Sequence, residues 1–281
     1  VTGRRKLIMK ITVILTCYNR KEKTSQCISS LKDGNPEYDL DFIVVDDNST
    51  DGTRENLLQL GGNVKVIEGP GNLFWAGRMR VGIDYFFHND DRSEYVLLVN
   101  DDVEFKDNIL WSLITKSKQN KDAVIVGATC NSYGEFTYGG MILENPKKRG
   151  IYRHVGIEES DIPCDLFNCN CVLIKSETIK KTGNFDSVYI HGMADLDYGL
   201  RLSRSGVLIL SSDEYVGNCE KNSTIGTWKD KNLSRMERLR KKETPKGTPF
   251  KIWFYYLFKN FGLFQAIKYS VSSYTKILLK K

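Results

Sequence analysis

Four short runs of β-branched and aliphatic residues constrain this chain more than any other feature. They are Ile11-Thr12-Val13-Ile14-Leu15, Phe42-Ile43-Val44-Val45, Tyr95-Val96-Leu97-Leu98-Val99 and Ala123-Val124-Ile125-Val126. Each is continuous rather than alternating, as in a strand buried on both faces. A weaker fifth run, Val64-Lys65-Val66-Ile67, follows the second. Helical patterns fill the intervals at 22–32, 53–60, 75–87 and 107–119. This alternation predicts an α/β, doubly wound architecture with a parallel sheet covered by helices. Beyond residue 130 the alternation loosens. Residues 135–157 read as strands with Gly-rich turns, Cys169-Asn170-Cys171-Val172-Leu173-Ile174 as a further strand, and a helix begins near Ala194 and ends at Gly206.

Charge divides the chain into two regions. Residues 221–281 hold 15 Lys+Arg and 3 Asp+Glu, whereas everything before them is net −6, within a total of +6. The expected organisation is a catalytic domain over 9–225 and a basic, aromatic, helical C-terminal extension over 226–281. Residues 1–8 precede Met9 and are set aside from the fold. Ten aromatic residues fall between Phe250 and Tyr274, interleaved with Lys251, Lys259, Lys268 and Lys276. That pattern suits a helix pair lying on an anionic membrane surface. Packing on the catalytic body, or a homo-oligomer formed through these helices, is the competing use. The acidic body and the lack of a nucleic-acid motif exclude a nucleic-acid partner. No apolar run is long enough to span a bilayer and no signal peptide is visible. Seven cysteines without a C-x-x-C pair favour reduced thiols, with Cys164, Cys169 and Cys171 in the core. The expected location is therefore cytoplasmic, peripheral at the inner face of the plasma membrane.

In open α/β sheets ligands bind at the carboxyl ends of the strands. Two runs end in paired acids there. Phe42–Val45 leads into Asp46-Asp47-Asn48-Ser49-Thr50-Asp51-Gly52, and Tyr95–Val99 leads into Asn100-Asp101-Asp102. Adjacent carboxylates repel unless a cation joins them, and an oxygen-rich set suits Mg²⁺ or Mn²⁺. Turn and helix-cap chemistry accounts for Asp51. Two strands delivering acids to one rim favour a functional role for Asp47 and Asp102. A third acidic cluster, Asp195-Leu196-Asp197, opens the helix near Ala194; it suits either capping by the helix dipole or a general base.

Thr12–Arg20, Val44–Asp51, Asn100-Asp101-Asp102, and Asp195-Leu196-Asp197 before Arg201 together resemble family-2 glycosyltransferases. The blocks occur in that family's order and cover about 11 to 210 of the chain. The resemblance implies a GT-A fold: a Rossmann-like nucleotide-binding sheet plus a smaller mixed sheet. It also implies inverting transfer of a sugar from a UDP- or dTDP-sugar donor to a saccharide or lipid-linked acceptor in cell-surface polysaccharide assembly. Thr16, Tyr18, Asn19 and Asp47 match nucleotide-holding positions, with Asp47 accepting from the base imide. Asn100–Asp102 match an Asp-x-Asp motif, which makes Asp102 the metal ligand for Mn²⁺ or Mg²⁺, with Asp101 beside it. Asp195 matches the catalytic base of a Glu-Asp pair whose Glu is replaced by Ala194.

The block Gly71–Ile83 is similar to a subset of that family in which some members transfer rhamnose or related sugars. Arg78 or Arg80 would meet the diphosphate from this helix, and Trp75 is either core or a sugar platform. His191 and Asp197 are candidates for the acceptor side, and Gly183-Asn184-Phe185-Asp186 is a structural turn. A dehydrogenase would need G-x-G-x-x-G after the first strand, which Thr16-Cys17-Tyr18-Asn19 does not supply. A nucleotidyltransferase would need a Gly-rich, Arg-bearing loop there. The remaining alternative is a catalytically degenerate sugar-nucleotide-binding or scaffold protein, favoured only by Asn100 and Ala194.

Overall fold

The computed structural model describes residues 8–61, 63–90, 92–144 and 152–279. In chain order the first half runs β1 (Lys10–Cys17), α1 (Lys21–Asp33), β2 (Asp39–Asp46), α2 (Thr53–Gln59), β3 (Val64–Glu68), α3 (Phe74–Asn89), β4 (Tyr95–Val99), β5 (Glu104–Phe105), α4 (Ile109–Gln119) and β6 (Val124–Cys130). There follow β7 (Phe136–Tyr138), β8 (Gly140–Leu143), β9 (Tyr152–Val155), β10 (Leu166–Phe167), β11 (Cys171–Lys175), α5 (Ser176–Thr182), α6 (Ala194–Arg204) and β12 (Ile209–Asn218). Three helices close the chain: α7 (Arg235–Lys242), α8 (Phe250–Phe261) and α9 (Leu263–Leu278).

The main sheet has the order β3-β2-β1-β4-β11-β6-β12-β5, with β7 on β6. From β3 to β4 it is parallel, as expected. Beyond β4 it is not. β11 lies antiparallel to both β4 and β6, so the sheet is mixed. A buried apolar run has the same appearance in either direction, which is why the sequence pattern misses the reversal. The smaller sheet, β10-β8-β9, is antiparallel throughout rather than mixed. Of the Gly-rich segment 135–157, residues 145–151, between β8 and β9, lie outside the described residues.

Burial on both faces explains the unbroken apolar runs. Ile11, Val13 and Leu15 of β1 face one cluster with Leu31 and Leu113, and Ile14 faces the other with Met79, Ile83 and Phe86 of α3. At Gly82 α3 approaches β1 so closely that a Cβ would stand 2.6 Å from Ile14 Cγ2. All seven cysteines are free and buried, and burial pushes the Cys171 thiol up to about 12.

The C-terminal helices are built into this core. Tyr256, Leu257 and Ala266 share a cluster with Leu196 and Leu200 of α6. Trp253 stacks on Tyr256 with ring centroids 5.5 Å apart, and its Nε1–H donates to Tyr269 O at 3.2 Å, joining α8 to α9. Of the uses the sequence left open for these aromatics, packing on the body is seen for part of them. Tyr255, Tyr256 and Phe261 turn inward because α6 needs apolar cover, while Phe258 and Phe264 stay exposed.

Candidate active site

Because β2, β1 and β4 are neighbours and parallel, their carboxyl ends open onto one rim. The loop after β1 lies between the two acid clusters. Asn19, at φ 52°, ties that loop to the loop after β2: its N–H donates to Ser49 Oγ at 2.8 Å, and its Oδ1 accepts from Thr50 N–H at 2.7 Å. Thr16 is buried at the strand end, and Tyr18 is 45% exposed beside it. Asp46 is a turn residue that accepts from Ser49 N–H. Asp51 accepts from the N–H of Thr53 at 3.0 Å and of Lys21 at 3.2 Å, the capping role expected of it.

Asp47 is buried and holds a loop. Its Oδ1 accepts from Gly71 N–H at 2.7 Å, and its Oδ2 accepts from Leu73 N–H at 2.9 Å. Glycine is needed at position 69 because a Cβ there would stand 2.5 Å from Asp47 Oδ1. The held loop leads into α3. Arg78 on that helix is partly buried in the fields of Asp47 and Asp101, and burial pulls its guanidinium below the usual range. Arg80 is separated from it: its Nη1 donates to the carbonyls of Tyr189 at 2.5 Å and Asp186 at 3.4 Å, a structural role.

At the end of β4, Arg20 meets both acids. Its Nη1 lies 3.0 Å from Asp101 Oδ1 and 3.0 Å from Asp102 Oδ2. Burial pushes the Asp101 carboxyl up to about 6 against the pull of Arg20. Asp102 is the more open of the two, its side chain 20% exposed. Two adjacent carboxylates already drawn around one cation form a donor set that fits a hard divalent ion completed by phosphate oxygens. Among the described residues no group of three or more His, Cys, Asp or Glu could hold a metal ion. Asn100, the first residue of the motif, has a different task. Its Oδ1 accepts from Trp75 Nε1–H at 2.9 Å.

Trp75 links the rim to the segment leading into α6. It lies against Phe185 at 5.8 Å between centroids, and its backbone N–H donates to His191 Nδ1 at 3.4 Å. His191 is half-buried, and burial, helped by Lys246 and Arg78, pulls its imidazole down to about 4. Two residues on, Met193 at φ 74° turns the chain into α6. Asp195 is half-buried in the first turn. Its Oδ2 accepts from Asn168 Nδ2 at 3.3 Å, and burial raises its carboxyl above the ordinary range.

Asp197 is elsewhere. It is fully buried, and its carboxylate accepts from Tyr189 Oη at 3.1 Å, Lys259 Nζ at 2.8 Å and Asn260 Nδ2 at 2.9 Å. It fastens α8 to α6 and presents no free face to an acceptor, which corrects its place among acceptor-side candidates. Arg20, Asn168, Lys259 and Asn260 are the residues that sequence reasoning missed. Arg20 sits inside a motif that was recognised, but its partners lie 81 and 82 residues away, and only the fold joins them.

Residues 12–174 match the family model described as glycosyl transferase family 2. A poly(ribitol-phosphate) beta-glucosyltransferase from Bacillus spizizenii is 32% identical over 127 residues, 42% of this chain and 19% of that protein. An N-acetylglucosaminyl-diphospho-decaprenol L-rhamnosyltransferase from Mycobacterium tuberculosis is 24% identical over 196 residues, 61% of this chain and 64% of that protein. The chain thus matches less than two thirds of the length of either relative. Among solved structures, the mannosyltransferase PcManGT from Pyrobaculum calidifontis, in complex with GDP-Man and Mn²⁺, superposes with a TM-score of 0.58 at 13% identity, covering 96% of this chain and 73% of that one. That likeness concerns the fold, which is GT-A.

Proposed function

We propose that this chain, which belongs to glycosyl transferase family 2, transfers a sugar from a UDP- or dTDP-sugar to a saccharide or lipid-linked acceptor in cell-wall or polysaccharide assembly. The observation that carries the reading is that Asp47 with its loop and the Asp101–Asp102 pair under Arg20 share one rim, and that Trp75 joins Asn100 of this rim to His191, four residues before Asp195. The names of the two relatives support the acceptor class.

Thr16, Tyr18, Asn19 and the loop held by Asp47 would receive the nucleotide. Arg78 lies near enough to Asp47 and Asp101 to feel both, and its charge suits a diphosphate. Asp102, with Asp101, would hold Mn²⁺ or Mg²⁺, and the bound ion would offset charge on the leaving diphosphate. Asp195 takes the proton from the acceptor hydroxyl, and its raised carboxyl makes it a stronger base than an exposed aspartate. A base on the acceptor side and an acid pair on the donor side favour single displacement with inversion. His191 and Trp75 brace the wall between them.

The outer face of α9 supports a membrane partner. Phe264, Ile267, Val271 and Leu278 are each more than half exposed along one stripe, beside the exposed Lys268 and Lys276. Such a stripe complements an anionic bilayer surface. Among the described residues no helix is long and apolar enough to cross a membrane. Sedimentation with phosphatidylglycerol vesicles, lost in Ile267→Glu/Val271→Glu, tests this part.

The whole reading is tested by thermal shift against UDP, dTDP, GDP and CMP, each with and without Mn²⁺. A ligand at 100-fold over its dissociation constant adds about 2.7 kcal/mol, a rise of several degrees at roughly 2–4 °C per kcal/mol. A Mn²⁺-dependent rise with UDP or dTDP alone is expected. A folded sample that responds to no nucleotide would overturn the reading.

A further inference from the structure

A cavity of about 400 Å³ opens beside α6, and no residue of the acidic rim lines it. Met193 and Leu196, which flank Asp195 in the chain, form one wall. Tyr152 and Tyr256 line it too, and both feel the charge of Asp195. The cavity therefore adjoins the proposed base and is lined by none of the donor-side residues. A neighbouring cavity of about 360 Å³ shares Met193 and Thr248 with it but carries one acid, Glu243, and one lysine, Lys251. The larger one carries Lys229, Lys242 and Lys276 and no acid.

Lys242 is the informative residue. It is 1% exposed, and its Nζ donates to Thr248 O at 2.7 Å. It also stands over the Trp228 ring at 5.2 Å and the Tyr274 ring at 4.7 Å. Among the described residues it makes no ion pair, and neither do Lys229 or Lys276. The Glu243 carboxylate next in the chain acts on this ammonium by charge but forms no ion pair with it, so burial is only partly offset and a further anion would stabilise it. Tyr256 Oη and Ser273 Oγ, both at this cavity, are buried with no hydrogen-bond partner among the described residues. Trp228 and Trp253 add two indole rings, apolar faces that suit the C–H face of a sugar or polyol.

We propose that this cavity is the acceptor subsite and that it takes a phosphate-bearing saccharide or polyol, carbon skeleton against Trp228 and Trp253 and phosphate toward Lys242, Lys229 and Lys276. This rests on the assignment of Asp195 as the base. The phosphate can belong to a prenyl diphosphate-linked sugar or to a polyol phosphate chain, since the recognition chemistry is the same.

The test is tryptophan fluorescence of the full chain with UDP present to fill the nucleotide cleft. Glucose 1-phosphate is titrated against glucose, followed by competition with a short-chain prenyl diphosphate-linked sugar and with a ribitol phosphate oligomer. The phosphorylated sugar should bind roughly tenfold or more tightly than glucose. Lys229→Glu/Lys276→Glu, at exposed positions that leave the fold intact, should weaken it by a similar factor, and Lys242→Gln should do so more strongly. Competition by either phosphorylated compound supports the proposal and names its source. Equal binding of glucose, indifference to the lysine changes, or competition by neither compound overturns it. If UDP and dTDP still shift the melting temperature in that case, the function stands and only the subsite falls. If the phosphorylated sugar binds as expected while no nucleotide does, the subsite stands and the donor reading falls.

Discussion

The rim and the C-terminal cavity treat charge in opposite ways. At the rim the chain supplies its own partners: loop amides for Asp47 and Arg20 for Asp101 and Asp102. At the cavity Lys242 is buried against a carbonyl and two rings, with Glu243 acting on it by charge but no ion pair among the described residues. A site satisfied internally must release something before it binds, whereas a site left short of an anion is ready to receive one. α6 stands between them and shows both habits within one turn, with Asp195 lightly held and Asp197 fully engaged.

The sharpest break in that contrast is at α6. Asp195→Asn should lower transfer by about 10³-fold, within the span of general base catalysis, while nucleotide-induced thermal shifts persist. Retained turnover would move the base elsewhere. Because burial raises this carboxyl, wild-type activity should fall on acidification from a limb above the ordinary aspartate range, as the base must be ionised.

Asp197→Ala should act on stability instead. It takes a partner from Tyr189 Oη, Asn260 Nδ2 and Lys259 Nζ, of which Lys259 keeps Asp186 at 2.8 Å, and should cost about 3 kcal/mol in urea unfolding. A loss below about 1 kcal/mol, the scale of an exposed pair, would show that α8 is held by its packing and by Asp186 rather than by Asp197.

The wall between the sites gives a pH effect. The unfolded chain protonates His191 near 6.5, the folded chain only near 4. The contribution of neutral His191 to stability is therefore full above about 6.5 and is lost as pH drops toward 4, a loss of about 3 kcal/mol. His191→Gln should flatten unfolding free energy across that window.

The smallest effect belongs to Arg20, whose side chain is 41% exposed. Arg20→Gln removes a competing cation and should tighten nucleotide-free Mn²⁺ binding by a few-fold, the scale of a screened pair. Weaker Mn²⁺ binding, read by electron paramagnetic resonance, would show that Arg20 organises the acids rather than blocks them.

Much of the rim was legible in the sequence because its residues sit at strand ends, where a continuous apolar run stops and an acid follows. Asp51 as a cap could be read from Asp-Gly-Thr alone. The equivocal residues were those whose partners are distant. Trp75 could not be placed between Asn100 and His191 from its own neighbours. Asp195 and Asp197 are chemically alike in the sequence and differ only in what packs on them. The inward turn of Tyr255 and Tyr256 was hidden for the same reason, since an amphipathic helix has the same pattern whether its apolar face meets protein or lipid.

The sequence by itself determined the strands, the helices between them and the acids at their carboxyl ends, because these depend on side-chain period and local turn chemistry. The tertiary structure decided the direction of β11, the pairing of Arg20 with Asp101 and Asp102, the division of labour between Asp195 and Asp197, and the lysine-lined cavity of the C-terminal helices. Each of these joins groups far apart in the chain, and burial and charge pairing across such distances exist only once the core has closed.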